Sequence, residues 1–577
     1  MKSGKYCRSW QNQVRVHNFN RNTVAMSVQK LALFIVVSSM LVHSAIAQSK
    51  NAEDISGTPH LVKQGAAIQL IVDGKPFLML GGELGNSSAS NVEYMDSVWP
   101  SLAKMHLNTV LVPVYWEFLE PSEVSVATPG KFDFTLVDSS INAAREHNLK
   151  LVFLWFGTWK NSMSCYMPLW TKTDQQRFPR AKTMDGKAEE ILTPFSDENM
   201  NTDAHAFAAL MKHIRAVDGT KHTVIMMQVE NEIGMIPDAR DYCGLANKAF
   251  SEQVPSNLMM YLRKNQDSLT PELYELWKNN NFKSSGTWEE IFGKSLQTDE
   301  LFMAWYFAQY ANYVAEAGKR EYPLPMYVNA ALIRPGYMPG QYPSAGPLPH
   351  LFDIWKAAAP AIDFLAPDIY FNNFAEWCRK YDCPGNSMFI PEADNNQSMA
   401  NAFYAIAGHN AMGYSPFSIE SLPNPENNQV SNAYDILHQL ESLIIENQGK
   451  GSMSGVLLDS ANQTEVVKLG DFTFNFKHEF SWRYAFRPGV DTPRVGGMII
   501  MLSPDEFLVA GSGIIVTFEP RTSDGSIAGI ASIDEGKFVH GKWVAGRRMN
   551  GDQDHQGRHM LLPGGSFSIQ KIKLYKY

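Results

Sequence analysis

Short apolar runs recur along the first three quarters of the chain, and most close on polar residues. The runs are Phe77–Leu80, Asn108–Val114, Leu149–Trp155, Thr223–Met227, Met326–Leu332, Ile362–Pro367, Ser387–Ile390 and Met412–Phe417. Their unbroken hydrophobicity fits strands buried on both faces rather than half-exposed ones. Between several of them lie stretches with helical spacing, at 92–105, 132–147, 197–217, 301–317 and 402–409. Alternating strands and helices imply a parallel sheet, and eight strands close a (β/α)8 barrel, expected over residues 48–430. Ser196 or Asp197 would cap the helix that leads into strand four.

The polar stretch 242–295 is longer than a barrel connection needs and predicts a helical insertion beside the mouth. The Pro/Gly-rich segment 335–350 predicts a long loop on the same side. An amphipathic linking helix is expected at 431–450. After Gly451 the pattern changes to short alternating strands with Gly and Asp turns, at 465–469, 498–502, 513–518 and 569–574. Residues 451–577 therefore predict an all-β sandwich. His555 and His559 have the spacing of a helical metal pair, but Gly557 and the β pattern around them argue against a helix.

The candidate chemistry gathers at His222–Gly234, HTVIMMQVENEIG. An apolar strand there runs into Gln228, Glu230, Asn231 and Glu232, and strand ends are where barrel enzymes keep their reactive groups. An Asn-Glu pair alone is common and often just opens a solvated loop. A second strand ending, Ser387–Ile390 followed by Pro391-Glu392-Ala393-Asp394, supplies another carboxyl in the same setting. Two carboxyls at strand ends of one barrel suit glycoside hydrolysis, one as acid/base and one as nucleophile or water activator.

VENEIG resembles the acid/base motif of glycoside hydrolase family 35, mainly β-galactosidases, in the clan of (β/α)8 retaining glycosidases. The resemblance covers roughly residues 70–420. It implies Glu232 as acid/base, Glu392 as nucleophile and Asn231 as a partner for a substrate hydroxyl. It also implies a Tyr after strand six hydrogen-bonded to the nucleophile, which Tyr370 would supply. Tyr115-Trp116-Glu117-Phe118-Leu119-Glu120-Pro121 is similar to the family's aromatic segment ending in Glu-Pro. The family's Tyr three residues before the Trp is Pro113 here, with Tyr115 as the substitute. After strand three the family carries an acidic residue, and this chain has Lys160 and Asn161. Both can meet hydroxyls, and Trp159 is a candidate stacking surface. Glu83 and Asn86 either face the sugar or belong to a plain Gly-rich connector.

The implied activity is an exported, retaining exo-β-galactosidase acting by double displacement on terminal β-galactosyl residues, with plant cell-wall xyloglucan side chains as a leading substrate class. Alternatives are another β-glycosidase of the clan, such as a β-glucosidase or β-mannosidase, or a non-catalytic carbohydrate-binding barrel. Retention needs the two carboxyls about 5 Å apart, against about 6.5–9.5 Å for inversion. No phosphate-cradling loop or metal cluster is evident, so no cofactor is expected.

Composition narrows the setting. The net charge of −9 offers no basic surface for nucleic acid. Leu31–Ala45 is an apolar stretch after Lys30, followed by the small-x-small site Ala45-Ile46-Ala47. This predicts a signal peptide over 1–47 cleaved after Ala47, a periplasmic or secreted chain with no membrane span afterwards, and Met26 as an alternative start. No Cys stands at the cleavage site for a lipid anchor. Cys7 leaves with the leader, and export permits disulfides among Cys165, Cys243, Cys378 and Cys383, the last two spaced for a local clamp. A carbohydrate is the expected partner, and a barrel of this size could also form a homo-oligomer.

Overall fold

The structure is a computed structural model that describes residues 57–124, 131–480 and 492–577. The leader and its cleavage site lie outside the described residues. The described chain opens with a three-stranded antiparallel sheet, His60–Gln64, Ala67–Val72 and Lys75–Phe77, that delivers the backbone to the barrel.

Eight parallel strands then close on themselves in sequence order: β1 (Met79–Glu83), β2 (Thr109–Tyr115), β3 (Lys150–Lys160), β4 (Val224–Asn231), β5 (Met326–Ala331), β6 (Phe364–Ile369), β7 (Ile390–Ala393) and β8 (Gly413–Pro416). Their apolar runs are buried inward and outward, as the absence of alternation predicts. Helices follow each strand: α1 (Val92–Lys104), α2 (Thr135–Glu146), α3 (Asp197–Asp218), α4 (Leu296–Glu321), α5 (Phe352–Ala358), α6 (Phe374–Tyr381), α7 (Ala400–Gly408) and α8 (Gln429–Asn447). Ser196 caps α3 by accepting from the Asn199 amide at 3.3 Å.

Two boundaries differ from the sequence expectation in a way that matters for the site. β6 and β7 run later than their apolar segments, so Asp368 and Glu392 are the penultimate residues of their strands rather than the first loop residues. The strand pairing places Asp368 opposite Glu392. The expected linking helix is α8, and it takes the eighth helix position of the barrel. The Tyr434 hydroxyl on α8 lies 2.8 Å from the Gly81 carbonyl and 2.6 Å from the Tyr414 carbonyl, at the seam where β8 meets β1.

Between β4 and α4 the expected insertion forms short helices at Gly244–Ser251, Ser256–Lys264, Pro271–Asn279 and Trp288–Phe292. Beyond α8 the chain builds a sandwich of antiparallel sheets. One sheet has the order Met453–Leu458, Val495–Ser503, Glu506–Ser512, Ser568–Lys576, Ala528–Val539 and Lys542–Met549. The other is Thr464–Leu469, Phe472–His478, Ile514–Pro520 and Met560–Leu562. Phe472, Phe474, Phe476, Phe507 and Val509 fill the space between the two sheets. The larger sheet also buries its opposite face: Met498, Ile500, Leu508 and Ala510 belong to the hydrophobic core that includes α7. A sheet apolar on both faces cannot be left against water, so the module is docked on the barrel by the hydrophobic effect.

Cys165, Cys243, Cys378 and Cys383 all carry free thiols, which corrects the expected local clamp. Cys378 faces the core from α6, and burial pushes its thiol well above the usual range. Among the described residues no helix is long and apolar enough to cross a membrane.

Replacing Tyr434 by Phe removes the one hydroxyl proton that the two carbonyls at the β8–β1 seam share. An equilibrium urea titration is expected to show a loss of about 1–3 kcal/mol, with unchanged stability contradicting a role for α8 in closing the barrel.

Candidate active site

The acid end of β4 is shaped by its backbone. Glu230 and Glu232 have φ of 60° and 45°, a left-handed conformation unusual for residues other than glycine. Such strain concentrates where a side chain must be aimed against the regular course of a strand. The two kinks send adjacent carboxyls to different places. Glu230 turns inward, fully buried, and accepts from the Trp159 amide at 2.7 Å. It also meets Asp203 of α3, which accepts from the Trp155 indole at 2.8 Å and the Thr158 hydroxyl at 2.5 Å. Burial, and then Asp203, hold the Glu230 carboxyl well above the usual range, which favours its neutral form. Gly157 is needed here, because a Cβ would lie 2.2 Å from the Trp155 indole nitrogen.

Glu232 instead faces the mouth. Its amide donates to the Asn329 side-chain oxygen on β5 at 3.0 Å, and its carboxyl accepts from the Asn161 amide. Asn161 is in place because Lys160 and Met163 bridge through Asn161 and Ser162, both at positive φ (51° and 63°). That is the tight hairpin geometry in which asparagine is favoured. The hairpin is tied to β4 by the Ser162 amide, which donates to the Glu232 carbonyl at 3.1 Å.

Across the barrel, Glu392 on β7 accepts from the Tyr370 hydroxyl, and Asp368 on β6 accepts from the Asn329 side-chain amide at 2.6 Å. Carboxyl oxygens of Glu232, Asp368 and Glu392 all lie within 4.8 Å of one another. Glu83, at the end of β1, completes a set of four buried acids, with buried Lys160 as their nearby cation. Three of these acids are shifted for the same reasons. Burial, then the charge of Glu392, holds Glu83 and Asp368 well above the carboxylate range. The same two causes push Glu232 up to about 7, against the opposing pull of Lys160 and Asn161. Crowded carboxyls in low dielectric cannot all ionise. Glu83 and Asp368 are thus driven to their neutral, hydrogen-bond-donating form, and Glu232 is poised as an acid near neutrality.

The other candidate residues divide. Asn231 is fully buried with neither side-chain atom partnered among the described residues. Tyr370 is 37% exposed at the rim. Trp116 is corrected to a packing residue: its indole N–H donates to Glu120 at 2.8 Å and its ring is buried against Trp155 and Trp170. Trp159 is also a packing residue, with its ring buried edge-on to Phe307 and Tyr310 of α4. Tyr115 packs among Phe118, Phe156 and Tyr166. The Asn86 carbonyl accepts from Tyr166, beside a turn in which Glu420 binds the Gly85 amide and the Ser88 hydroxyl. Glu83 is brought to the centre, while Tyr115 and Asn86 stand in that neighbouring cluster. Asp368 and Asn329 join the centre although no sequence motif singled them out. Asn329 interrupts an apolar run and Asp368 directly follows one, which was the available signal.

Geometrically the three clustered oxygens of Glu232, Asp368 and Glu392 could hold a divalent cation. The chemistry they offer without one is general acid, nucleophile and neutral donor on one face of a barrel. Oxygens within 4.8 Å of one another suit retaining hydrolysis, which needs carboxyls about 5–5.5 Å apart, better than inversion, which needs about 6.5–9.5 Å.

The class that fold and site define is a (β/α)8 glycosidase, and the family comparison narrows it. Residues 69–301 match the model for glycosyl hydrolases family 35, so that segment is similar to the glycoside hydrolases of this family. Residues 430–561, from α8 into the sandwich, match a domain of unknown function, DUF5597. No curated protein matches the chain. Among solved structures it is similar to the β-galactosidase of the psychrophilic Marinomonas ef1, at 13% identity and a TM-score of 0.42, covering 64% of this chain and 60% of that one. The β-galactosidase of Bacillus circulans sp. alkalophilus gives 15%, 0.44, 64% and 57% in the same order. The β-mannanase of the blue mussel Mytilus edulis gives 14%, 0.38, 65% and 96%. The chain therefore spans less than two thirds of the length of the two β-galactosidases.

If Asp368 acts as a neutral donor, Asp368→Asn should keep kcat/KM within about tenfold, whereas Asp368→Ala should lose about a hundredfold. Equal losses in steady-state assays of the two variants would mean that the ionised form is the one used.

Proposed function

We propose that the protein is an exported, retaining exo-β-galactosidase that removes terminal β-galactosyl residues from oligo- or polysaccharides, with xyloglucan side chains as the substrate class. The observation that carries the reading is the unequal pair at the centre: Glu392 bonded to Tyr370, and Glu232 raised to about 7. In the first step Glu392 attacks the anomeric carbon, the glycosidic bond breaks, and Glu232 gives its proton to the leaving oxygen. In the second step Glu232 takes a proton from water, which attacks the same carbon and releases Glu392. Loss of the Glu392 charge in the intermediate removes one cause of the raised Glu232 pKa, which suits Glu232 for its second role as base.

Asn231 supports sugar recognition through its buried, unpartnered amide, and Glu83 offers a neutral acid to a hydroxyl. Galactose rather than glucose or mannose rests on the family resemblance. Export rests on the N-terminal pattern alone.

The test is a panel of nitrophenyl β-glycosides with the mature chain and its Glu392→Gln variant. The expected result is galactoside cleavage that falls by at least about three orders of magnitude in the variant. Preference for another sugar would keep the mechanism and overturn the specificity. An absence of turnover on nitrophenyl glycosides and xyloglucan oligosaccharides would favour the carbohydrate-binding alternative. Glu232 must be protonated to donate, so kcat/KM should decline as pH rises through about 7. A pH–rate profile flat from 6 to about 9 would remove Glu232 as the acid.

A further inference from the structure

Arg494 of the sandwich module reaches the loops at the rim of the catalytic centre. Arg494 precedes the strand Val495–Ser503 and is only 11% exposed. Its guanidinium spans the loops that follow β6 and β7. One terminal nitrogen donates to the side-chain oxygens of Gln397 at 3.0 Å and Asn401 at 3.3 Å. The other donates to the Asn372 carbonyl, two residues beyond Tyr370, and pairs with Asp459 of the module at 3.5 Å. Asn401 donates to the same Gln397 oxygen at 3.0 Å, fixing which way that amide faces. Gln397 can therefore present its N–H group to the Tyr370 carbonyl, at 3.0 Å. The Tyr370 hydroxyl donates to Glu392.

We propose that Arg494 is a positioning residue for the nucleophile, acting from the sandwich module through Gln397 and Tyr370. The physical need is plain. Tyr370 is 37% exposed on a loop, so packing alone does not hold its ring in one place. Its hydroxyl stays on Glu392 only while its backbone is pinned, and supports of this kind set the precision of a site. The planar fork of an arginine can bind both loops at once, whereas a lysine ammonium lacks that geometry. A guanidinium this deeply buried would be costly unless paired, and Asp459 with the oxygens of Gln397, Asn401 and Asn372 supplies the pairing. The docked module is thus tied to the hydrogen bond that orients the nucleophile.

This inference rests on the glycosidase reading, and a double-mutant cycle on whichever nitrophenyl glycoside the intact enzyme cleaves tests it separately from the choice of sugar. Arg494→Ala is expected to lower kcat/KM about tenfold when Tyr370 is present. In the Tyr370→Phe background, where the bond to Glu392 is already gone, it should cost less than about twofold. Arg494→Lys should recover only part of the loss. The same loss in both backgrounds, or no loss with Tyr370 present, would overturn the proposal, since a merely structural residue acts regardless of the Tyr370 hydroxyl. Gln397→Ala provides the same cycle if Arg494→Ala does not fold, because it leaves Arg494 its bonds to Asn401, Asn372 and Asp459. An effect of Gln397→Ala independent of Tyr370, or none at all, counts against the proposal equally.

Discussion

The structure depends on one electrostatic constraint: four carboxyls, from Glu83, Glu232, Asp368 and Glu392, are buried at one end of the barrel with Lys160 as their buried cation. Full ionisation there would place several like charges within a few ångströms in low dielectric, at a cost no fold of ordinary stability could absorb. The site resolves this by keeping protons. Burial and the Glu392 charge hold Glu83 and Asp368 above the carboxylate range and bring Glu232 to about 7. The crowding that makes the cluster expensive is therefore also what separates the acid from the nucleophile. Asp203 and Glu230, both raised by burial, repeat the arrangement further in, where they accept from the Thr158 and Trp159 backbone amides.

Much of this was legible in the sequence. The eight apolar runs gave the strands, because a strand buried on both faces needs no alternation to be recognised. Glu232 and Glu392 stood out as carboxyls where such runs end. Asp368 and Asn329 escaped notice because a single polar residue in or just after an apolar run has a meaning only when its neighbours across the sheet are known. Asp368 lies opposite Glu392 in the β6–β7 pairing, a relation between strands rather than along the chain. The aromatic residues misled for the opposite reason. Trp116 and Trp159 resemble sugar platforms in composition, yet their rings are buried in contact with Trp155, Trp170, Phe307 and Tyr310. Which way a ring points is a property of packing, which no local pattern records. Likewise α8 reads as a linker until Tyr434 is seen at the β8–β1 seam.

The second domain is better understood as part of the barrel's support than as an appendage. Its larger sheet has no solvent face where it meets α7, the helix that follows the strand bearing Glu392. Arg494 extends that docking to the loops beside Tyr370. The match to the DUF5597 domain begins at residue 430, so it includes α8 together with most of the sandwich. The segment that closes the barrel and the segment that braces its rim are thus matched as one unit.

The central claim is that Glu392, among four neighbouring acids, forms the covalent bond to the sugar. The direct measurement is to treat the enzyme with a 2-deoxy-2-fluoro-β-galactoside bearing a good leaving group, digest it, and locate the added mass by peptide sequencing. The account predicts time-dependent inactivation, with one fluorosugar attached to Glu392. Attachment to Glu83, Glu232 or Asp368, or turnover of galactosides with inversion at the anomeric carbon, would contradict it.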